Sequence, residues 1–401
     1  MRIFEAQHNL PWVIEGAAVA VSIVCFAPDA DRCATSATLD GRAVRAIRSD
    51  LRDIDLPFDL RNLRRLEENR HIAFQGVKLA GRRADDDEAL HEDEQGFVID
   101  RATAERFLRS GGNPNRRPNC DVIRPYWSGD EALGRPRDRF VIDFGPAATE
   151  PQAQGYAAPY AHLERIVRNR RLANREGRAA LRWWLHQRPR PGMRRAIAGL
   201  DRFLVTVEVA KHRFFRWAPN DVLPSGSLVV FARADDFFLG ILESAFHKLW
   251  ASETHNPLEN RPRYRIGHSF ESFPFPTGLT PDRPLPDVMA NPLAMTIAET
   301  AQALYAAREA ALASGPQRLD MTELYDLCDQ SGAAWLETAQ RRLDAAVAAA
   351  YGWSPDLSDG EILAALGTLH QNRQGSALGS DENETAEERG QSGQIAGPIT
   401  A

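Results

Sequence analysis

The hydrophobic positions change rhythm twice along the chain. Ala18-Val19-Ala20-Val21-Ser22-Ile23-Val24-Cys25-Phe26 is an almost unbroken apolar, β-branched run, the pattern of a strand buried on both faces of a sheet. Leu39-Asp40-Gly41-Arg42 then reads as a turn between two short extended stretches. One strand and one short hairpin cannot enclose a core, so residues 1–60 read as the final edge of a larger sheet whose other strands lie outside this chain.

From Ile72 to Pro276 short strand patterns (Phe140 to Phe144, Phe203 to Val209, Ser227 to Arg233) alternate with helical ones (Arg101 to Ser110, Ala157 to His186, Asp236 to Trp250). This is α+β patterning. Phe273-Pro274-Phe275-Pro276 with Pro281, Pro284 and Pro286 interrupts it, because proline continues neither a helix nor a central strand. Asn291 to Ser314, Met321 to Gln330, Ala334 to Tyr351 and Asp359 to Arg373 then carry helical periodicity and predict a small bundle. From Gln374 the chain loses its apolar anchors, and the expectation is a disordered tail. No internal repeat is present.

Composition excludes more than it identifies. With 401 residues, 43% hydrophobic and 26% charged, the chain is long enough for two or three ordinary globular domains. Cys25, Cys33, Cys120 and Cys328 form no CxxC pair and no zinc or disulfide framework, which fits a reducing cytoplasm. The longest apolar run, Gly16 to Ala27, is too short for a bilayer, which needs roughly twenty residues, and Glu5 and Glu15 ahead of it do not suit a signal peptide. No membrane role is expected.

Catalytic patterns are also missing. None of the three lysines (Lys78, Lys211, Lys248) follows an acid by two residues as in a metal-dependent nuclease, and the histidines include no H-E-x-x-H. His247 with His255 is a loose spacing that suits packing or capping. Gly267-His268-Ser269-Phe270-Glu271 has Glu where a nucleophile elbow needs its second Gly, and Asp143-Phe144-Gly145 has no companion kinase motifs and reads as a strand end. No glycine-rich phosphate loop follows a strand. No catalytic, cofactor-binding or metal residue is assigned.

What stands out is charge. Ala161 to Trp217 holds fifteen Arg or Lys against four Asp or Glu, in a chain of formal net charge −6. Arg165, Arg168, Arg171, Arg175, Arg178 and Arg182 recur at three- and four-residue steps, which places them near one helical face. The segment continues through Trp183-Trp184, Arg188-Pro189-Arg190 and Lys211-His212-Arg213, and Arg261-Pro262-Arg263-Tyr264-Arg265 adds a second cluster. A solvated charged face would account for an isolated basic helix. Guanidinium forks set among aromatic residues also match phosphate oxygens and guanine edges, so these positions are candidate nucleic-acid contacts.

Several stretches, taken in order, resemble a known family. Pro118-Asn119-Cys120-Asp121-Val122-Ile123-Arg124-Pro125-Tyr126, Phe140 to Phe144, Trp183-Trp184, Leu200-Asp201-Arg202-Phe203, Lys211-His212-Arg213, and Arg261-Pro262-Arg263-Tyr264 running to Glu271-Ser272-Phe273-Pro274-Phe275-Pro276 are similar in order and spacing to the target-recognition domain of MmeI-like DNA methyltransferases. Leu343 to Val347, Ala350-Tyr351-Gly352-Trp353 and Asp359 to Leu363 resemble that family's C-terminal helical domain, and Trp12 through Phe26 the last part of its methyltransferase domain.

The resemblance implies three parts and a tail: the end of a methyltransferase sheet at 1–60, a mixed α+β target-recognition domain at 61–277, a helical bundle at 278–373 and the tail at 374–401. It implies double-stranded DNA as partner and S-adenosylmethionine as the family's cofactor, with methyl transfer to adenine N6 in a restriction-modification or related system. The chain departs from the family in one respect. It contains no [Asn/Asp/Ser]-Pro-Pro-[Tyr/Phe] and no cofactor glycine loop, so no catalytic residue carries over and the chain alone is expected to be inactive. The implied arrangement is a recognition half whose catalytic half is a separate polypeptide. A stand-alone DNA-binding specificity protein and a non-functional remnant of an interrupted gene are the alternatives.

Overall fold

The computed structural model describes residues 2–14, 17–27, 37–44, 47, 51, 63–79, 96–173, 181–253, 262–313, 319–330 and 332–374. Arg175, Arg178, Arg261, His255 and the tail beyond Gln374 lie outside them. Sheets and helices both contribute, as the α+β expectation requires.

The N-terminal sheet has the order β2-β1-β3-β4. β1 (Arg2–Ile14) and β2 (Ala17–Ala27) form a long antiparallel hairpin, and β3 (Ala37–Leu39) runs parallel to β1 at Glu5 and Ala6. β3 and β4 (Arg42–Val44) close on Asp40 and Gly41, both at positive φ (49° and 78°), the geometry of a two-residue hairpin turn. β1 has no hydrophobic alternation to betray it, because its register shifts at Ile3/Glu5 and again at Gln7/Leu10. Pro11 is tolerated in it because, among the described residues, β3 pairs with Glu5 and Ala6 and nothing pairs with that side of β1 at Pro11. β2 departs from the expectation of a strand enclosed on both faces. It is the outer strand, with Ile23 and Phe26 exposed by 50% and 59%. Among the described residues the buried core of this sheet is Ala6, Ala37, Leu39 and Ile47.

A second, far larger core runs from Ala73 to Leu366. Two four-stranded sheets contribute to it. One has the order β10-β9-β12-β5, with β5 at Ala73–Gln75, β9 at Arg202–Val207, β10 at Arg216–Pro219 and β12 at Leu228–Phe231. The other has the order β11-β7-β8-β6, with β6 at Val98–Ile99, β7 at Ile123–Trp127, β8 at Phe140–Ile142 and β11 at Leu223–Pro224. The two meet where Gly76 lies against Ser225: a Cβ at Gly76 would stand 1.9 Å from the Ser225 carbonyl oxygen, so only glycine fits.

The helices follow in chain order. The first is α1 (Arg101–Arg109), whose first turn is capped by Asp100 accepting from the Thr103 amide at 2.8 Å. Short helices α2 (Gly129–Leu133) and α3 (Glu150–Gln154) precede α4 (Ala157–Leu163), which passes through a π turn (Glu164–Arg168) into α5 (Asn169–Ala173). Next come α6 (Pro191–Ile197), α7 (Asp236–Glu243) and α8 (Ala245–Glu253). The single helix expected from Asp236 to Trp250 is therefore broken at Ser244, whose backbone is extended. α9 (Leu285–Met289), α10 (Pro292–Ala313), α11 (Met321–Asp329), α12 (Ala334–Tyr351) and α13 (359–374) complete the described helices.

α7 is apolar on every side and wholly buried from Phe237 to Glu243, which suits a helix between a sheet and other helices. Gly240 lets α10 approach it; a Cβ there would meet Ile297 at 2.6 Å. The proline-rich bridge does not divide the core, since Phe273, Phe275 and Leu279 are buried within it. Among the described residues no helix is long and apolar enough to cross a membrane.

Candidate nucleic-acid interface

The turn between β9 and β10 carries Lys211, His212 and Arg213, and the fold sets a distant loop beside it. Val209 and Arg263 form an antiparallel bridge, and the Tyr264 amide donates to the Glu208 carbonyl at 2.7 Å. Residues 210–213 and 262–264 thus line one cleft of 470 Å³. Lys248 on α8, Tyr325 on α11 and Gln340 on α12 line its other side.

Beneath the lining side chains Lys248, Tyr264 and Tyr325 lies a buried, paired layer that forms the floor. Arg308 of α10 is fully buried and donates to Glu243 at 2.6 Å, to the Tyr325 hydroxyl at 3.2 Å and to the Phe215 carbonyl. Lys248 meets the other oxygen of Glu243 at 2.7 Å, and the Phe215 amide donates to Glu243 at 2.7 Å. Burial pushes the Glu243 carboxyl up, but Arg308 and Lys248 outweigh it and hold it at about 2. Burial lowers His247 to about 3 and keeps it neutral. Its Nδ1–H donates to the Leu242 carbonyl at 3.0 Å, leaving Nε2 to accept from the Tyr264 hydroxyl at 3.0 Å. Tyr264, which burial raises well above its ordinary value, is floor and not a stacking platform.

Arg213 belongs with the floor. It is half-buried, donates to Thr206 Oγ1 at 3.0 Å, to the Val207 carbonyl and to the Pro262 carbonyl at 3.2 Å, and lies 5.0 Å from the Tyr264 ring centre. Burial lowers its pKa to about 10. The rim is wetter. Lys211 donates to Asp326 Oδ1 at 2.6 Å and His212 Nε2 meets the same oxygen at 2.5 Å. Arg263 donates to Glu208 Oε1 at 2.7 Å from Nε, while Arg265 is exposed. His212, Asp326 and Asp329 bring their ligand atoms within 4.8 Å of one another, a set chemically able to hold a divalent ion at this rim.

The other predicted contacts are split by the π turn. The π turn closes with i→i+5 bonds, so it inserts about one residue, a rotation of about 100°, relative to α-helical spacing. Arg165 and Arg168 are exposed, the latter paired with Glu164 at 2.9 Å, but Arg171 is turned inward. Its guanidinium donates to the carbonyls of Trp183, Leu185 and Leu79 and lies 4.8 Å from the Phe97 ring centre. The expected single arginine face therefore does not extend to Arg171, and Trp183 and Trp184 are core residues. Arg182 and Arg188 are exposed. Arg190 is half-buried at φ 53° before α6, with Nε donating to the Gly76 carbonyl at 3.2 Å.

Lys248, Glu208, Tyr325 and Asp326 escaped sequence reasoning. Lys248 was visible only as one of three lysines, and Asp326 lies 115 residues from Lys211 on a helix with no distinguishing pattern.

No family model and no curated protein matches the chain. Its fold is similar to that of a solved structure described as the Type IIL restriction-modification enzyme MmeI in complex with DNA, with a TM-score of 0.65 and 18% identity, over 93% of this chain and 46% of that one. The chain spans less than half the length of that protein.

Proposed function

We propose that this chain is the DNA sequence-recognition part of a site-specific adenine-N6 DNA methyltransferase of a restriction-modification or related system. The observation that carries the reading is the cleft: Lys211 and His212 from one segment and Arg263 from another, separated by about fifty residues, converge on one rim above a buried, paired floor, with exposed Arg265 next along the chain. The likeness to a protein whose structure holds DNA supports the same role. Lys211, His212, Arg263 and Arg265 read base edges or nearby phosphates; Arg165, Arg168, Arg182 and Arg188 grip backbone further out. Phosphate contacts set position and base contacts set sequence.

The residues present do not fit S-adenosylmethionine. An α/β cofactor site needs a βαβ unit with a glycine turn at the carboxyl end of its first strand. Among the described residues the N-terminal sheet has one parallel pair, β1 and β3, and the described strand between them in the chain is the antiparallel β2. No step of methyl transfer is derived from this chain, and the chemistry belongs to a sequence that carries those motifs. The outer edge of β2, with Ile23 and Phe26 exposed, is where such a sheet would continue. The runner-up reading is a stand-alone DNA-binding protein. It is favoured by the large core of Ala73 to Leu366, which excludes the N-terminal sheet.

The test is selection of bound duplexes from a randomised DNA pool by the purified protein. Enrichment of one short sequence is the expected result. Recovery of duplex with no enrichment would remove sequence recognition and leave charge-driven binding alone.

A further inference from the structure

Two side chains of the rim, an ammonium and an imidazole, are directed at one carboxylate. Lys211 Nζ and His212 Nε2 meet Oδ1 of Asp326 at 2.6 and 2.5 Å, from the side of the cleft opposite α11. The His212 ring stacks on Tyr325, the neighbour of Asp326 in α11, with centroids 5.7 Å apart and planes at 23°, which holds the imidazole beside the carboxylate. The side chains remain open to solvent, Lys211 by 57% and Asp326 by 34%. Lys211 first, then His212, holds the Asp326 carboxyl below its ordinary range, so it is ionised throughout the neutral range. An oxygen anion held between an ammonium and an imidazole is also what a DNA phosphate would form at this place.

We propose that Asp326 is an electrostatic gate on the cleft: its carboxylate occupies the position of a DNA phosphate oxygen, and duplex DNA must displace it to engage Lys211 and His212. The inference rests on the DNA-recognition reading. Any duplex meets the same competing carboxylate, but only one that adds base contacts at Arg263 and Arg265 offsets its displacement. Because every duplex that engages Lys211 and His212 meets the same cost, Asp326 sets the contacts a duplex must supply before it occupies these two side chains, and so controls affinity without touching a base.

The test compares the full chain with Asp326→Asn, which keeps the side-chain size and removes the charge. Binding is measured by fluorescence anisotropy on mixed-sequence and selected duplexes over a series of salt concentrations. EDTA is present throughout, so that His212, Asp326 and Asp329 hold no divalent ion. Affinity of the variant for mixed-sequence duplex is expected to rise about two- to fivefold at low salt, the range set by an exposed ion pair. Its log–log salt slope on mixed-sequence duplex should steepen by about 0.9, one added phosphate contact, and its preference for the selected sequence should not shrink. Adding Lys211→Met should abolish the gain, because the gate acts through that ammonium. Thermal unfolding of the single variant should match the wild type.

If the wild type binds with a clear salt dependence while Asp326→Asn binds no tighter and with the same slope, the gate is wrong and the DNA reading stands. Weaker binding by Asp326→Asn would also overturn the gate, since it would make Asp326 a positioning residue for its two partners. If neither protein binds duplex with any salt dependence, the DNA reading itself fails and the gate falls with it.

Discussion

The floor and the rim of the cleft use the same residue types to opposite ends. In the floor, Arg308, Glu243 and Lys248 are buried, share bonds with one another and with backbone groups, and tie the β9–β10 turn to α8, α10 and α11. At the rim, Lys211 and Arg263 are 57% and 52% exposed, each held by one carboxylate. Exposed pairs contribute about 0–1 kcal/mol, so their carboxylates are exchangeable. Removing one member of a buried pair leaves an uncompensated charge in a dry place. Charge in this protein therefore does structural work where it is dry and is available for recognition where it is wet.

The comparison breaks most easily at Arg308. Arg308→Met leaves Glu243 buried with Lys248 as its remaining cation, and a loss of about 3–5 kcal/mol is expected by denaturant unfolding. A loss below about 1 kcal/mol would show that the floor is no more constrained than the rim.

Acid probes the floor without mutation. Burial lowers His247 from 6.5 to about 3, so the unfolded chain binds its proton first; this contribution is complete above pH 6.5 and is lost as pH falls toward 3. His162, His186 and His370 are lowered by burial as well and act in the same direction. Glu243, lowered from 4.5 to about 2, adds a contribution present above pH 4.5 and lost as pH falls toward 2. Unfolding midpoints measured from pH 7 downward should decline from about pH 6.5. Glu243→Gln, less stable at neutral pH, should show a shallower decline below pH 4.5.

Rim substitutions should leave stability alone and change recognition. Arg263→Ala or Arg265→Ala should relax preference at particular base pairs by about 1–3 kcal/mol, read from binding to single-mismatch duplexes. Equal losses on every duplex would reassign these residues to backbone contact. The smallest effects belong to the outer arginines: Arg165→Ala and Arg182→Ala should weaken all sequences alike, each reducing the salt slope by about 0.9.

Much of the fold was legible in the sequence where one period held. The runs of β2, β9 and β12 and the helices α10 to α13 lie close to the positions their hydrophobic spacing marks. β1 was not legible, because two register shifts break its alternation, and Ser244 interrupts an otherwise continuous helical pattern. The candidate site was legible as charge and not as exposure. Spacing alone could not show that a π turn directs Arg171 to the backbone of Leu79, Trp183 and Leu185, or that Arg213 and Tyr264 belong to a buried floor. Asp326 is invisible in one dimension, since only the packing of α11 brings it to Lys211.

The most direct test of the central claim is the salt dependence of duplex binding by the wild type and by a Lys211→Ala, Arg263→Ala, Arg265→Ala triple variant. The account predicts a steep log–log slope for the wild type and a loss of about 0.9 for each rim contact that meets phosphate, with thermal unfolding unchanged. An unchanged slope and affinity in the triple variant would place DNA elsewhere on the molecule, and a flat wild-type response would contradict DNA recognition by this cleft.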